Sequence, residues 1–432
     1  MAKERIRIGI MGLGVVGSGV ARILMEKADR IQAHIETPVE LVRVLVRDPQ
    51  KKRDFQVPGH LLTTSSRDIL DDPDIDIVIE VMGGEIPAYK YIEGAIQSGK
   101  HVITANKEVM AKYGPELLTL AHQRGVDILY EASVGGGIPL IGPFQHDLAA
   151  NKIISIQAII NGTTNYILTR MASEGAEFGA ALAEAQALGY AEADPTNDIE
   201  GIDAVYKLAV LATLAFHLPV RPADIYREGI SRLTSRDFRY ARELGYAIKL
   251  LAIAKEENGM VEARVHPSLV PQGFLLAQIG GVNNAVCVQG DLVGTVVFYG
   301  PGAGSKPTSS AIVADLILLA KNITAGLTGR FRLREESGKT ISPMDQVQTR
   351  YYLRMSVADH PGVLAQIATV LGEHQISIAS VIQKEADPVS QTAEIVIMTH
   401  LAREADMQDS LAKIRALPPV VQERCFFLRA EG

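Results

Sequence analysis

Tryptophan is missing from this 432-residue chain, and cysteine occurs only twice, as Cys287 and Cys425. The two cysteines lie far apart and match no metal or redox spacing, which fits a reducing, cytoplasmic setting. The missing tryptophan excludes nothing about function. No apolar run approaches the ~18 residues needed to cross a bilayer, so no membrane partner is expected. The chain enters a strand almost at once, leaving no room for a secretion signal. A positive surplus is also absent: the net charge is −7, which weighs against a nucleic-acid partner. What is present is 47% hydrophobic residues, enough for large buried cores in two or three domains.

The N-terminus carries a nucleotide signature. Ile6 to Met11 is an apolar run that reads as a strand, and Gly12-Leu13-Gly14-Val15-Val16-Gly17 follows it directly. A helical stretch from Ser18 to Lys27 comes next, so GxGxxG stands in the strand–turn–helix context that dinucleotide binding requires. Gly12 permits the tight turn, Gly14 lets a pyrophosphate reach the free N–H groups of the helix start, and Gly17 lets helix pack on strand. The second strand, Val39 to Val46, ends in Arg47-Asp48. An acid at that position suits the ribose hydroxyls of NAD, and arginine suits the 2′-phosphate of NADP. Arg47 comes first, with Lys51, Lys52 and Arg53 behind, so NADP is the expected cofactor and NAD the alternative.

Further α/β alternation follows. Asp76 to Val81 reads as a strand opening into Met82-Gly83-Gly84, and His101 to Thr104 as another ending in Ala105-Asn106-Lys107. Ligands collect at such carboxyl ends, so Lys107 stands where nicotinamide chemistry would occur. Val126 to Glu131 reads as a strand that runs into Ala132-Ser133-Val134-Gly135-Gly136-Gly137-Ile138-Pro139. Free carbonyls beside Glu131 are ligands of the kind hard cations prefer, although on sequence alone a flexible crossover between domains is the favoured reading of the glycines. Ile153 to Ile160 reads as a strand ending in Asn161-Gly162-Thr163-Thr164-Asn165. Near residue 300, Gly300-Pro301-Gly302-Ala303-Gly304-Ser305 leads toward a helix over Ala311 to Lys321, whose start its hydroxyls would cap.

The segment Gly189 to Lys207, GYAEADPTNDIEGIDAVYK, is the most distinctive. It holds Glu192, Asp194, Asp198, Glu200 and Asp203, then runs into a buried apolar helix pattern. Asp203 and Lys207 lie four apart and share a helix face. Spacing alone fits a surface salt bridge at least as well as a proton-transfer pair.

After Arg330 the chain is charged and irregular and reads as a linker. Beyond it the order strand, helix, strand, strand, helix, strand occupies about 80 residues, the ferredoxin-like arrangement. Its first turn is Asp359-His360-Pro361-Gly362-Val363-Leu364, which resembles the turn of ACT domains.

Together, GLGVVG at 12–17, TANK at 104–107, EASVGGGIP at 131–139, NGTTNYIL at 161–168, ALGYAEADPTNDIEGIDAVYK at 187–207 and GPGAGSKPTSS at 300–310 resemble homoserine dehydrogenase in its long, monofunctional bacterial form. The likeness covers nearly the whole chain, and the aspartokinase fusion is not the expected form. It implies an α/β fold: a Rossmann dinucleotide-binding domain over 1–135, an α+β catalytic and dimerisation domain over 136–325, a linker over 326–348, and a ferredoxin-like ACT domain over 349–432. It implies interconversion of L-aspartate 4-semialdehyde and L-homoserine with NAD(P)H, on the way to threonine and methionine.

By the same resemblance, Lys207 is the acid/base and Lys107 orients substrate and favours hydride transfer. Glu192 and Asp203 hold the ammonium and hydroxyl of the substrate, with Asp198 in support. Cofactor contacts fall at Gly12, Leu13, Gly14, Val15, Val16, Gly17, Arg47, Gly83, Thr104, Lys107, Gly189 and Gly304. A monovalent cation, sodium, is held by Glu131, Val134, Gly136 and Ile138. The segment near 311–321 is implied to return to the first domain. The ACT unit implies feedback by threonine near Asp359 and Gly362, in a homodimer or homotetramer. Two other readings stay open: a different nicotinamide enzyme of amino-acid aldehydes or imines, and a non-catalytic NADP sensor.

Overall fold

The computed structural model describes residues 4–329, 333, 336–387, 391–420 and 425–431. These divide into two compact units, each assembled from separate stretches of chain. One comprises Met1–Ile156, Asp203–Ile225 and Asn283–Lys339, and the other Gln157–Ile202, Tyr226–Val282 and Thr340–Gly432.

The first unit is built on a six-stranded sheet. From edge to edge its strands are Leu62–Thr63, Val39–Leu45, Ile6–Met11, Ile77–Glu80, His101–Thr104 and Ile128–Leu129, all parallel. Numbered along the chain this is the order 3-2-1-4-5-6 of the dinucleotide fold, whose ligand crevice lies at the carboxyl ends where the order reverses. The central strands are apolar on both faces because helices cover both. Ile6, Ile8, Ile10, Ile77 and Ile79 are fully buried. Each such side chain contributes about 1.5–3 kcal/mol relative to exposure.

The helix Ser305–Thr324 packs against the helix Val15–Glu26 and against this core through Ile312, Leu316 and Leu319. The return implied by the family likeness is therefore present. The helix starts six residues before the sequence reading placed it. Pro307 lies in its first turn, where a missing N–H costs nothing. The strand expected over 126–131 is shorter, Ile128–Leu129, because Glu131–Ser133 forms a 3-10 turn.

The second unit carries an antiparallel hairpin, Tyr246–Glu257 with Met260–Pro271. Phe426–Ala430 pairs parallel to the latter, and its other edge pairs antiparallel with Gln348–Ala358. Thr392–Thr399 and Ile378–Asp387 complete the sheet. The last four strands, with the helices Val363–Glu373 and Glu404–Arg415, form the expected ferredoxin-like unit around Tyr351, Leu353, Ile367, Leu371, Ile395 and Leu411. The segment 421–424, part of the strand expected over 420–428, lies outside the described residues.

Candidate functional site

The glycine turn shows why each glycine is needed. Gly12 has φ +102°, a left-handed value that L side chains rarely adopt. A Cβ on Gly17 would lie 2.1 Å from the Gly12 carbonyl oxygen, so helix and strand approach only because it is absent. Gly14 precedes the helix Val15–Glu26, and the space beside it is open. The turn is fixed from outside. The Leu13 carbonyl accepts from Arg53 Nε at 3.1 Å, and the Val15 and Val16 carbonyls accept from Ser305 Oγ at 3.0 Å and Ser309 Oγ at 3.2 Å. Neither serine caps its own helix, which begins after Gly304 at φ +117°. The hydroxyls that the sequence suggested as a cap serve the glycine turn instead. Arg53 is likewise tied to carbonyls of Asp48 and Lys51. Arg47 is exposed just past the second strand and makes no hydrogen bond with a described residue.

Beneath the next two loops lies a residue that sequence reading missed. Glu80 ends its strand fully buried, and its carboxylate accepts from the Met82 N–H at 2.7 Å and from Thr104 Oγ1 at 2.7 Å. Thr104 Oγ1 accepts from the Asn106 N–H, and Asn106 caps the helix Lys107–Arg124 through Val109 while donating to the Gly84 carbonyl at 2.8 Å. Burial pushes the Glu80 carboxyl upward against these hydrogen bonds. One acid thus shapes both the 82–84 loop, where Gly83 has φ +76°, and the turn that presents Lys107. The available signal was an acid inside an otherwise apolar parallel strand.

Lys107, Asp203 and Lys207 meet in the first unit. Asp203 and Lys207 lie on the helix Ile202–Phe216 and are only 4% and 9% exposed. Lys207 Nζ donates to Asp203 Oδ2 at 2.7 Å, and Lys107 pairs with Oδ1 of the same carboxylate. Burial alone would raise the Asp203 carboxyl, but the ammonium groups of Lys207 and Lys107 hold it well below its ordinary range. A buried carboxylate between two lysines is not a surface salt bridge. It fixes two cations side by side, as stabilisation of a developing alkoxide requires.

Glu192, Asp198 and Gly189 belong to the second unit. Glu192 is exposed. Asp198 Oδ1 accepts from Asn161 Nδ2 at 2.7 Å, and Asn161 caps the helix Gly162–Glu174 through the Thr164 N–H at 2.9 Å. Gly189, at φ +75°, closes the helix Phe178–Ala187.

The suggested cation loop is also shaped by backbone. Both Glu131 carboxylate oxygens accept from the N–H groups of Leu140, Ile141 and Gly142 at 2.6–2.9 Å. The Glu131 N–H donates to Asp315, whose buried carboxyl is pushed up to about 8, chiefly by burial. A Cβ on Gly136, at φ +61°, would lie 2.6 Å from the Gly302 carbonyl oxygen. Among the described residues no group of three or more His, Cys, Asp or Glu side chains could hold a metal ion. A cation here would therefore need backbone carbonyl oxygens beside any carboxylate oxygen. In the ferredoxin-like part, Gly362 precedes the helix Val363–Glu373 at φ +91°, facing open space, and the Asp359 N–H donates to the Gln391 carbonyl.

The sheet order and glycine turn define a dinucleotide-binding protein. Family models sharpen this. The homoserine dehydrogenase NAD-binding domain matches residues 12–131, homoserine dehydrogenase matches 139–317, and the ACT domain matches 351–419. Homoserine dehydrogenase of Bacillus subtilis (strain 168) is 42% identical over 429 residues, covering 99% of each chain. That of Synechocystis sp. is 44% identical over 424 residues, covering 96% of this chain and 97% of the other. The crystal structure of a homoserine dehydrogenase from Thiobacillus denitrificans superposes with a TM-score of 0.93 at 44% identity, covering 99% of this chain and 98% of that one. A hyperthermophilic archaeal homoserine dehydrogenase in complex with NADPH matches with a TM-score of 0.62 at 27% identity, covering 76% of this chain and all of the other. The chain belongs to the homoserine dehydrogenase family, oxidoreductases acting on the CH–OH group of homoserine, and carries a C-terminal ACT domain. A non-catalytic sensor is not favoured. Among the described residues no helix is long and apolar enough to cross a membrane.

Proposed function

We propose that this homoserine dehydrogenase reduces L-aspartate 4-semialdehyde to L-homoserine with NADPH, with Lys207 as the acid/base. The observation that carries the reading is Asp203, buried and ionised between Lys207 and Lys107. When bound, the nicotinamide cofactor supplies or accepts the hydride. In the reductive direction Lys207 gives a proton to the carbonyl oxygen as it becomes a hydroxyl. In the oxidative direction it takes that proton back. Lys107, on the other oxygen of Asp203, orients the reacting oxygen and stabilises its charge. By family likeness Asp203 and Glu192 receive the substrate's ammonium and hydroxyl, with Asp198, which accepts from Asn161, in support.

NADP is favoured over NAD because Arg47 is exposed and uncommitted at the second strand's end, and a relative of known structure carries NADPH. By family likeness the glycine turn, Gly83, Thr104, Gly189 and Gly304 complete the cofactor contacts. A sodium ion fits the loop through carbonyls of Val134, Gly136 and Ile138. Glu131 completes the set: its Oε1 accepts from two N–H groups and its Oε2 from one, which leaves the carboxylate a lone pair to offer the ion. Threonine feedback acts at the Asp359–Gly362 turn. The assembly is a cytoplasmic homodimer or homotetramer, supported by exposed Leu292, Val293 and Tyr299 on the hairpin Asn283–Gly290 with Gly294–Pro301. By family likeness the domains are a cofactor-binding domain over 1–135, a catalytic and dimerisation domain over 136–325, a linker over 326–348 and an ACT domain over 349–432.

The test is homoserine oxidation with NADP and with NAD, in wild type and Arg47→Ala. Wild type should prefer NADP, and the variant should lose that preference roughly tenfold or more, as expected for a charge-assisted phosphate contact. An unchanged ratio would remove Arg47 from the cofactor site.

A further inference from the structure

The second unit contains a cleft of about 160 Å³ that the proposed chemistry does not use. One wall is Glu200, the residue after the short helix Thr196–Ile199. A second is the segment Glu228 to Leu233. The third is the final ACT strand, through Phe426, Phe427 and Leu428. At about 30 Å³ per water the volume equals roughly five waters, the size of a small amino acid.

The lining is of mixed sign. Glu200 Oε1 accepts only a long bond from Ser231 Oγ, 3.2 Å. Glu228 faces the buried Arg429 at 3.1 Å and is itself partly exposed. Arg232 is exposed and makes no hydrogen bond or ion pair with a described residue. Its guanidinium lies 5.9 Å from the centre of the Phe426 ring, and that of Arg354 lies 5.7 Å from the same ring. The ring gives the cleft an apolar wall held by cations.

We propose that this cleft is a second amino-acid site, separate from the Asp359–Gly362 turn, that takes a small neutral amino acid as its zwitterion. Arg232 receives the α-carboxylate with its planar pair of donors. Glu200 receives the ammonium, while Glu228, whose Oε1 already takes the Tyr226 hydroxyl and faces Arg429, only lines the wall. Phe426 and Leu233 cover a short side chain. The position gives the site a consequence. The Ile230 N–H donates to the Ile199 carbonyl at 2.9 Å, and a Cβ on Gly229 would lie 2.6 Å from that carbonyl oxygen. The 228–232 segment is therefore seated on Ile199 and Glu200. Glu200 stands three residues before Asp203 in the chain, so a ligand that draws Arg232 and Glu200 together bears on the start of the helix that carries Asp203 and Lys207.

The test is calorimetric titration of the full-length protein with L-threonine, L-valine and L-threoninol, the last lacking the carboxylate. Binding is read directly, so the result does not depend on the acid/base assignment. L-threonine or L-valine should bind wild type. Arg232→Gln should weaken that binding about tenfold or more, whereas Gly362→Asp should leave this component in place, and L-threoninol should bind wild type no better than L-threonine binds Arg232→Gln. Retained NADPH binding and an unchanged melting temperature will show that Arg232→Gln is folded. Absence of binding to wild type, or equal affinity in Arg232→Gln, overturns the assignment.

Discussion

Replacing Asp203 by asparagine removes one charge and almost no volume, so it isolates what the carboxylate does between its two lysines. Breaking a buried ion pair by removing one partner costs ~3–5 kcal/mol. Two features reduce that figure here. Asparagine still offers an oxygen to one ammonium, and the Lys107 side chain is 43% exposed, so water screens its half of the interaction. A loss of about 2–3 kcal/mol is expected, which for a unit of this size lowers the melting temperature by roughly 4–12 °C. The pH dependence has a definite sign. The folded carboxyl lies below its ordinary value of 3.8, so its contribution is fully present above about pH 4 and is lost as pH falls further. The gap between wild type and Asp203→Asn should therefore be widest near neutrality and narrow in acid. Homoserine oxidation should fall at least ~100-fold, since the amide can hold only one of the two lysines and no longer offsets their charge. Thermal unfolding across pH together with turnover measures both effects. A variant that melts and turns over like wild type would refute the claim that this carboxylate organises the site.

Gly136→Ala puts a methyl group against the Gly302 carbonyl and strains a left-handed residue. Activation by NaCl, measured at constant ionic strength, should be weakened or lost, and undiminished activation would place the cation elsewhere. Gly362→Asp projects a side chain into the open space before the helix Val363–Glu373, at a left-handed position costing ~1–2 kcal/mol. Threonine inhibition should disappear while basal turnover stays, and intact inhibition would separate the effector from that turn.

Much of this was legible in the sequence because each parallel strand is a short apolar run ending in a polar turn. Ile6–Met11, Ile77–Glu80 and His101–Thr104 are all of this kind, and their carboxyl ends mark the ligand edge without any knowledge of tertiary packing. The ferredoxin-like order was readable for the same reason. Other features depend on contacts between residues distant in sequence. Tyr246–Glu257 escaped notice because YAIKLLAIAKEE, rich in alanine, leucine and lysine, has the local preferences of a helix and becomes a strand through its pairing with Met260–Pro271. Ser305 and Ser309 look like cap residues locally, yet their hydroxyls serve carbonyls of the glycine turn nearly 300 residues earlier. In the candidate site, the four-residue spacing of Asp203 and Lys207 could not tell surface from interior. Lys107, from a different strand end, decides it by taking the second carboxylate oxygen. Glu80 was passed over because its role is to hold two loops by hydrogen bonds that no local pattern encodes.

The most direct measurement is L-homoserine oxidation with NADP by wild type and Lys207→Ala, with NADPH binding checked in both. Wild-type turnover with a variant slowed about 10²- to 10⁴-fold that still binds NADPH is the predicted result. A Lys207→Ala enzyme that turns over at close to the wild-type rate would contradict the assignment of the acid/base to Lys207.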